Sequence, residues 1–220
     1  MPTQPNAGHR PSALIYDWDN TLADGWAAIT AALNAALGAF GKPLWTEDDT
    51  RNRVRVALRE SFPVMFGERW EEARDIFYRA FATQHLQHVR PMAGVPEALA
   101  AGGRWPQGIV SNKAGHYLRK EVAHLGWDRH FATVIGAGDA VADKPDPAPI
   151  LLALDRMNIR ADPSVWYLGD TALDMRAAQA AGVTAVLVGD AAHDGGVEHA
   201  APDLHVISAH QLAAYLRGLA

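Results

Sequence analysis

This 220-residue sequence predicts an α/β fold: a parallel sheet with helices on both faces and a helical block inserted after the first strand. Three observations carry that reading. After Pro91, short apolar runs that break into polar turns alternate with stretches of helical spacing, the pattern of a sheet covered on both sides. One further apolar run, Ala13-Leu-Ile-Tyr16, lies far upstream of the others. The residues between about Gly25 and Val89 show helical periodicity only.

In chain order, Ala13 to Tyr16 is a short buried strand that ends in the polar loop Asp17-Trp-Asp-Asn-Thr21. Ile29, Leu33, Ala36, Leu37 and Phe40 recur at helical spacing, and Gly41 with Pro43 stops that helix. Thr46-Glu-Asp-Asp49 is a helix start with an acidic first turn, and Ser61-Phe-Pro63 reads as a helix break. Trp70, Ala73, Ile76, Phe77, Ala80 and Phe81 mark a long amphipathic helix. Beyond Pro91 the strands are Gly108–Ser111, Thr133–Ile135, Val165–Leu168, Val183–Val188 and Leu204–Ile207. Helices are expected over Ala114–Leu125, Pro147–Met157 and Ala172–Ala181, with a last one capped by Ser208.

The composition is that of a globular protein, 49% hydrophobic and 20% charged, and the length suits one sizeable domain or one domain with an insert. The chain has no cysteine, which excludes disulfides, thiolate metal sites and a cysteine nucleophile. A net charge of −5 gives no overall attraction to nucleic acid or to a membrane surface, and no apolar run reaches the length of a membrane span. Residues 1–12 lack the apolar core of a signal peptide and read as a flexible arm, so a cytoplasmic protein is expected.

In open parallel sheets, ligands bind beyond the carboxyl ends of the strands. The residues that follow the strands here are Asp17, Asp19 and Thr21, then Ser111 and Asn112, then Asp170 and Asp174, with Lys144 in the loop after the third strand. A helix cap or a solvated loop would explain either aspartate pair alone. Four carboxylates at one sheet edge repel one another, and a hard divalent cation relieves the repulsion. Mg²⁺ suits one or two carboxylates together with waters and a phosphate oxygen. Such a cation with a lysine and a hydroxyl makes a cradle for a phosphoryl group. Lys113 is a second basic candidate, or a solvated lysine at a helix start.

These residues resemble a known family. Asp17-Trp-Asp-Asn-Thr-Leu22, Ser111-Asn-Lys113, Asp143-Lys-Pro-Asp-Pro147 and Gly169-Asp-Thr-Ala-Leu-Asp174 are similar to the four ordered motifs of the haloacid dehalogenase-like superfamily. Within it the chain resembles the phosphoglycolate phosphatase-like members with a helical cap, and Pro91-Met-Ala-Gly-Val95 resembles their return from cap to core. The one departure is Asn20, where the family usually has Gly; Asn tolerates the left-handed conformation best among the other residues.

The resemblance implies a Rossmann-like α/β core over residues 13–24 and 90–220 and an α-helical cap over 25–89. It implies Asp17 as nucleophile, forming an aspartyl-phosphate, and Asp19 as general acid and then base. Ser111 and Lys144 would bind the phosphoryl oxygens, with Thr21, Asn112 and Lys113 as further substrate contacts. Mg²⁺ would sit on Asp17, the backbone carbonyl of Asp19 and Asp170, with Asp174 direct or through water. The implied activity is hydrolysis of a small phosphorylated metabolite, 2-phosphoglycolate-like or a sugar phosphate, by a monomer or homodimer. A β-phosphoglucomutase-like mutase shares all four motifs and is the enzymatic alternative. A phospho-acceptor switch like a receiver domain uses similar residues, but receivers are about half this length and carry no helical insert. Dehalogenases lack the second carboxylate, Asp19. Phosphonate hydrolysis would need a cap lysine, and Lys42 in a turn is the only lysine there.

Substrate choice is expected in the cap. Arg51, Arg55 and Arg59 recur every four residues and read either as a solvated basic face or as a source of one guanidinium for an anionic tail. Arg59, beside the Ser61-Phe-Pro63 break, is the candidate substrate reader. His85 and His88 share a helix without a third metal ligand and read as packed or surface histidines. Gly136-Ala-Gly138 lacks the third glycine of a dinucleotide fingerprint, and no serine stands in a nucleophile elbow.

Overall fold

The computed structural model describes residues 10–54 and 58–219, without the side chains of residues 58–60. The chain forms two compact units. One comprises the residues up to Ala23 and from Pro91 onward, the other Asp24–Arg90.

The first unit is a six-stranded parallel sheet. Its strands are β1 (Ala13–Tyr16), β4 (Gln107–Ala114), β5 (Thr133–Ala137), β6 (Val165–Gly169), β7 (Thr184–Val188) and β8 (Leu204–Val206). Two two-residue strands, β2 (Ala23–Asp24) and β3 (Arg90–Pro91), pair with each other. The sheet order is β5-β4-β1-β6-β7-β8, with every neighbouring pair parallel. Strand β1 is therefore central, with β4 on one side and β6 on the other, and the order reverses there. Such a switch point opens a crevice at the carboxyl ends of the strands.

All four β1 residues are buried, because a strand in a covered parallel sheet has no solvent face. Ala13 and Ile15 join a core cluster that includes Val110, Ile135, Ile150, Tyr167, Met175 and Leu187. Leu14 and Tyr16 alternate onto the opposite face, as the two-residue repeat of a strand requires. On that side Trp166 stacks on Tyr215, and the Tyr16 hydroxyl donates to Gln107 Oε1. The helices of this unit are α5 (Val95–Gly102), α6 (Gly115–His124), α7 (Ala148–Arg156), α8 (Ala172–Ala180), α9 (Gly196–Ala200) and α10 (Ala209–Gly218). Ser208 caps α10 as expected, accepting from Gln211 N. Of the expected N-terminal arm, residues 1–9 lie outside the described residues; Ser12 N already donates to Ser164 O.

The second unit holds α1 (Trp26–Ala39), α2 (Glu47–Arg53), α3 (Leu58–Phe66) and α4 (Trp70–His88). Helix α1 ends where Gly41 takes a positive φ of 63°. Helix α2 opens on a capping box in which the Thr46 hydroxyl accepts from Asp49 N and the Asp49 carboxylate accepts from Thr46 N. The expected break at Ser61-Phe-Pro63 is absent, since α3 runs through Pro63. The helix forfeits one hydrogen bond there but buries Phe62 and Phe66, and Phe62 packs edge-on to Phe77 of α4. His85 is buried and stacks on Phe81, so it is a core residue of this unit. Among the described residues, no helix is long and apolar enough to cross a membrane.

Candidate active site

The polar residues of the first unit gather where β1, β4 and β6 end. After Tyr16 the chain continues extended, and Asp17 N donates to Leu168 O of β6. It then turns tightly: Leu22 N and Ala23 N both donate to Trp18 O, and Asn20 N donates to Ala23 O. Asn20 sits at φ 62°, the left-handed conformation that Gly or Asn adopts at least cost. The departure at that position therefore preserves the loop.

Strand β4 extends past its expected end at Ser111 to Ala114, with a break in register. Val110 pairs with Ile135 and Ala114 with Ala137, so Ser111, Asn112 and Lys113 stand opposite Gly136 alone. A bulge of this kind redirects side chains. Backbones approach closely there: a Cβ on Gly136 would lie 2.4 Å from Gly115 Cα.

Lys144 is the hub. Its ammonium donates to Asp17 Oδ1 and to Asp174 Oδ1, each at 2.6 Å, and to the Tyr167 hydroxyl at 2.9 Å. That hydroxyl donates in turn to Val110 O. Asn112 clamps the lysine loop with both ends of its amide: Nδ2 donates to Lys144 O and Oδ1 accepts from Lys144 N. Both ends of the Asn112 amide thus hold the backbone of the lysine loop. Tyr167 was not expected at the site, because its position inside an apolar strand gives no sign of it.

The motif at the end of β6 is fixed by local geometry. Asp174 Oδ2 accepts from the Thr171 backbone N–H and hydroxyl, a capping box that orients the carboxylate at the start of α8. Gly169 is required there, since a Cβ would lie 2.4 Å from Asp174 Cβ and Cγ. Thr21 donates its hydroxyl to Asp170 Oδ1, and His193 Nε2 lies 3.2 Å from Asp170 Oδ2. Asp194 accepts from Ala172 N at the head of the same helix. His193 and Asp194 come from the segment after β7, which carries no motif in the sequence.

Asp17, Asp170 and Asp174 are all buried, and one carboxylate oxygen from each lies within 4.8 Å of the others. They form the only such acidic or histidine group among the described residues. Burial pushes Asp17 up to about 8, helped by the charges of Asp174 and Asp170 and opposed by Lys144. Burial also raises Asp170, against the pull of His193. Burial alone would lower the Lys144 ammonium, but Asp17 and Asp174 outweigh it and hold it well above its ordinary value. With all three ionised, the carboxylates against one ammonium carry two excess negative charges in a buried pocket, and hard oxygen donors with that charge fit a divalent cation.

Asp19 stands apart from this cluster. Its side chain is 33% exposed, far more than that of Asp17, and its Oδ1 accepts from Lys113 Nζ at 2.8 Å. Ser111 is buried and its hydroxyl accepts from Lys113 N. In the second unit, Arg51 pairs with Asp24 at 3.2 Å and lies over the Trp26 ring. Arg55 lies outside the described residues, and Arg59 is described only as backbone in α3.

The family description "haloacid dehalogenase-like hydrolase" matches residues 14–188, which include every one of these strand ends. The chain belongs to that family. It is 34% identical over 185 residues to the phosphoglycolate phosphatase of Xanthomonas campestris pv. campestris, covering 80% of this chain and 82% of the relative. It is 30% identical over 184 residues to the phosphoglycolate phosphatase of Photorhabdus laumondii, covering 79% and 78%. Among solved structures, a haloacid dehalogenase-superfamily hydrolase of subfamily IA, variant 1, from Geobacter sulfurreducens superposes with a TM-score of 0.78. That alignment covers 98% of this chain and all of the neighbour at 22% identity, a likeness of fold.

Proposed function

We propose that this hydrolase is a Mg²⁺-dependent phosphomonoesterase acting through an aspartyl-phosphate on Asp17, with the helical unit serving as its cap. The observation that carries the reading is the Lys144 hub. It ties the Asp17 carboxylate by one oxygen and leaves the other for phosphorus. Asp17 attacks, the ester P–O bond breaks, and Asp19 gives its proton to the departing alkoxide. Asp19 then takes a proton from water as that water displaces phosphate from Asp17, which restores the Asp17 carboxylate and the protonated Asp19. Lys144 and Ser111 offset charge on the phosphoryl oxygens, a reading supported by their position beside Asp17 at the strand ends, and Asn112 acts through the lysine loop. Asp17, Asp170 and Asp174, with the Asp19 carbonyl, would hold the cation. Its chemistry is neutralisation of the phosphoryl charge.

The named activity of the curated relatives makes 2-phosphoglycolate the first substrate to try, with sugar phosphates next. Phosphate release from a panel of small phosphomonoesters, with Mg²⁺ and with chelator, tests the reading. Release with Mg²⁺ that chelator abolishes is the expected result, and it ranks the substrates. Phosphate release unaffected by chelator would sink the metal assignment, and conversion of a sugar phosphate to its isomer without release would favour the mutase.

Binding of the ion is expected to strengthen with pH. The folded-state value of about 8 for Asp17 lies above the usual 3.8. The metal-free fold therefore holds a proton that the unfolded chain releases, and its stability falls as pH rises from about 4 to about 8. A divalent ion requires the ionised form and removes that penalty. At about a hundred times its Kd the ion adds about 2.7 kcal/mol, or roughly 5–10 °C in Tm. Thermal melts with and without Mg²⁺ should show a larger gain at pH 8 than at pH 6. An equal gain at both would contradict the assignment.

A further inference from the structure

Trp18 lies between Asp17 and Asp19 in sequence, is fully buried and packs edge-on to Trp127. A buried indole N–H needs an acceptor. It finds Glu121 Oε2 at 2.7 Å, on helix α6 and outside all four motifs. Glu121 is 1% exposed, and a carboxylate so buried is costly unless compensated. The compensation is Lys113, whose ammonium donates to Glu121 Oε2 at 2.6 Å and to Asp19 Oδ1 at 2.8 Å. Burial would lower that ammonium, but the two carboxylates hold it above its ordinary value, so it stays charged.

The contacts form one continuous path from a buried indole, through a buried carboxylate and a nearly buried ammonium, to the most exposed aspartate of the site. We propose that Glu121 is a positioning residue for Asp19: fixed by the Trp18 N–H, it anchors Lys113, and Lys113 holds the Asp19 carboxylate in the orientation that serves the leaving oxygen. A lysine on a four-carbon stem is flexible, and a second carboxylate on its far side removes that freedom. The inference rests on Asp19 being the proton donor.

Its signature is dependence on the leaving group. An alkoxide needs a proton in order to leave, whereas p-nitrophenolate does not. The value of kcat/KM reports the steps up to departure of the leaving group and is unaffected by hydrolysis of the phosphoenzyme. The experiment compares kcat/KM of the Mg²⁺-loaded full chain for 2-phosphoglycolate, phenyl phosphate and p-nitrophenyl phosphate in the native protein, Glu121→Gln and Asp19→Asn. Glu121→Gln is expected to lose at least about tenfold on the alkyl ester and under about threefold on p-nitrophenyl phosphate, with Asp19→Asn showing the same bias more strongly.

An equal loss on all three esters would make Glu121 a structural counter-charge, and no loss would make it irrelevant; either overturns the inference. Bias in Asp19→Asn without bias in Glu121→Gln overturns this inference alone. Absence of bias in Asp19→Asn overturns the reading of Asp19 itself. Should Glu121→Gln not fold, the double variant Lys113→Met/Glu121→Met replaces the ion pair by apolar groups of similar size and must show the same bias. A higher KM for every ester in that double variant, with no bias, would instead assign Lys113 to substrate binding.

Discussion

Asp17→Asn is expected to abolish turnover of every phosphomonoester, by at least about a thousandfold, while leaving the protein folded. The substitution keeps the shape of the side chain and an oxygen that can still accept from Lys144, so the hub survives. Among the described residues, it removes the group that pairs with the lysine by one carboxylate oxygen, keeps the other unbonded and lies within the cation cluster. It also removes one of three mutually repelling buried charges, the one that burial already pushes up to about 8. The metal-free variant should therefore melt no lower than the native protein at pH 8, while Mg²⁺ raises its Tm less. Acid-quenched native enzyme caught during turnover should carry a hydroxylamine-labile phosphate that the variant lacks. Retained turnover in Asp17→Asn, or loss of turnover together with loss of folding, would refute the assignment.

The fold was legible because the signals that specify it are local. Each strand of the core is an apolar run, and the polar breaks after β1, β4 and β6, with the loop after β5, hold the candidate site. The chain therefore announces Asp17, Ser111, Lys144 and Asp170 by position as well as by type. Asn20 was legible for the same reason, since its left-handed backbone follows from the turn that only Gly or Asn enters cheaply. What could not be read depends on packing between distant segments. Tyr167 stands in an apolar strand like any core tyrosine, and only the β6–β1–β4 order brings its hydroxyl to Lys144. Glu121 is one charged residue on an ordinary amphipathic helix until the fold places Trp18 against it. Pro63 misled because a local breaker was outweighed by the burial of Phe62 and Phe66 on either side of it.

Lys144→Met should cost more stability than any other single change at the site. The side chain is 3% exposed and its three bonds join Asp17, Asp174 and Tyr167. Met fills nearly the same volume, so packing is kept and the charge alone is lost. Removing one partner of a buried ionic cluster leaves the others uncompensated, at about 3–5 kcal/mol, which lowers Tm by roughly 10 °C in a chain of this size. The pH dependence separates this cause from a cavity. Lys144 is held well above its ordinary value, so in the native protein its stabilising charge is fully present at neutral pH and is lost only in strong alkali. In the variant the deficit grows with ionisation of Asp17, which Lys144 contacts directly and which burial raises, and more weakly with that of Asp170. The deficit should therefore shrink as pH falls from 8 toward 5 and the carboxylates take up protons, and Mg²⁺ should recover part of it at pH 8. A cavity would cost the same at every pH and respond to no ion. Melting native and variant proteins across that range, with Mg²⁺ and with chelator, decides between them: a deficit independent of both pH and Mg²⁺ would show that Lys144 fills space at the ends of β1, β4 and β6 rather than balancing the charge there.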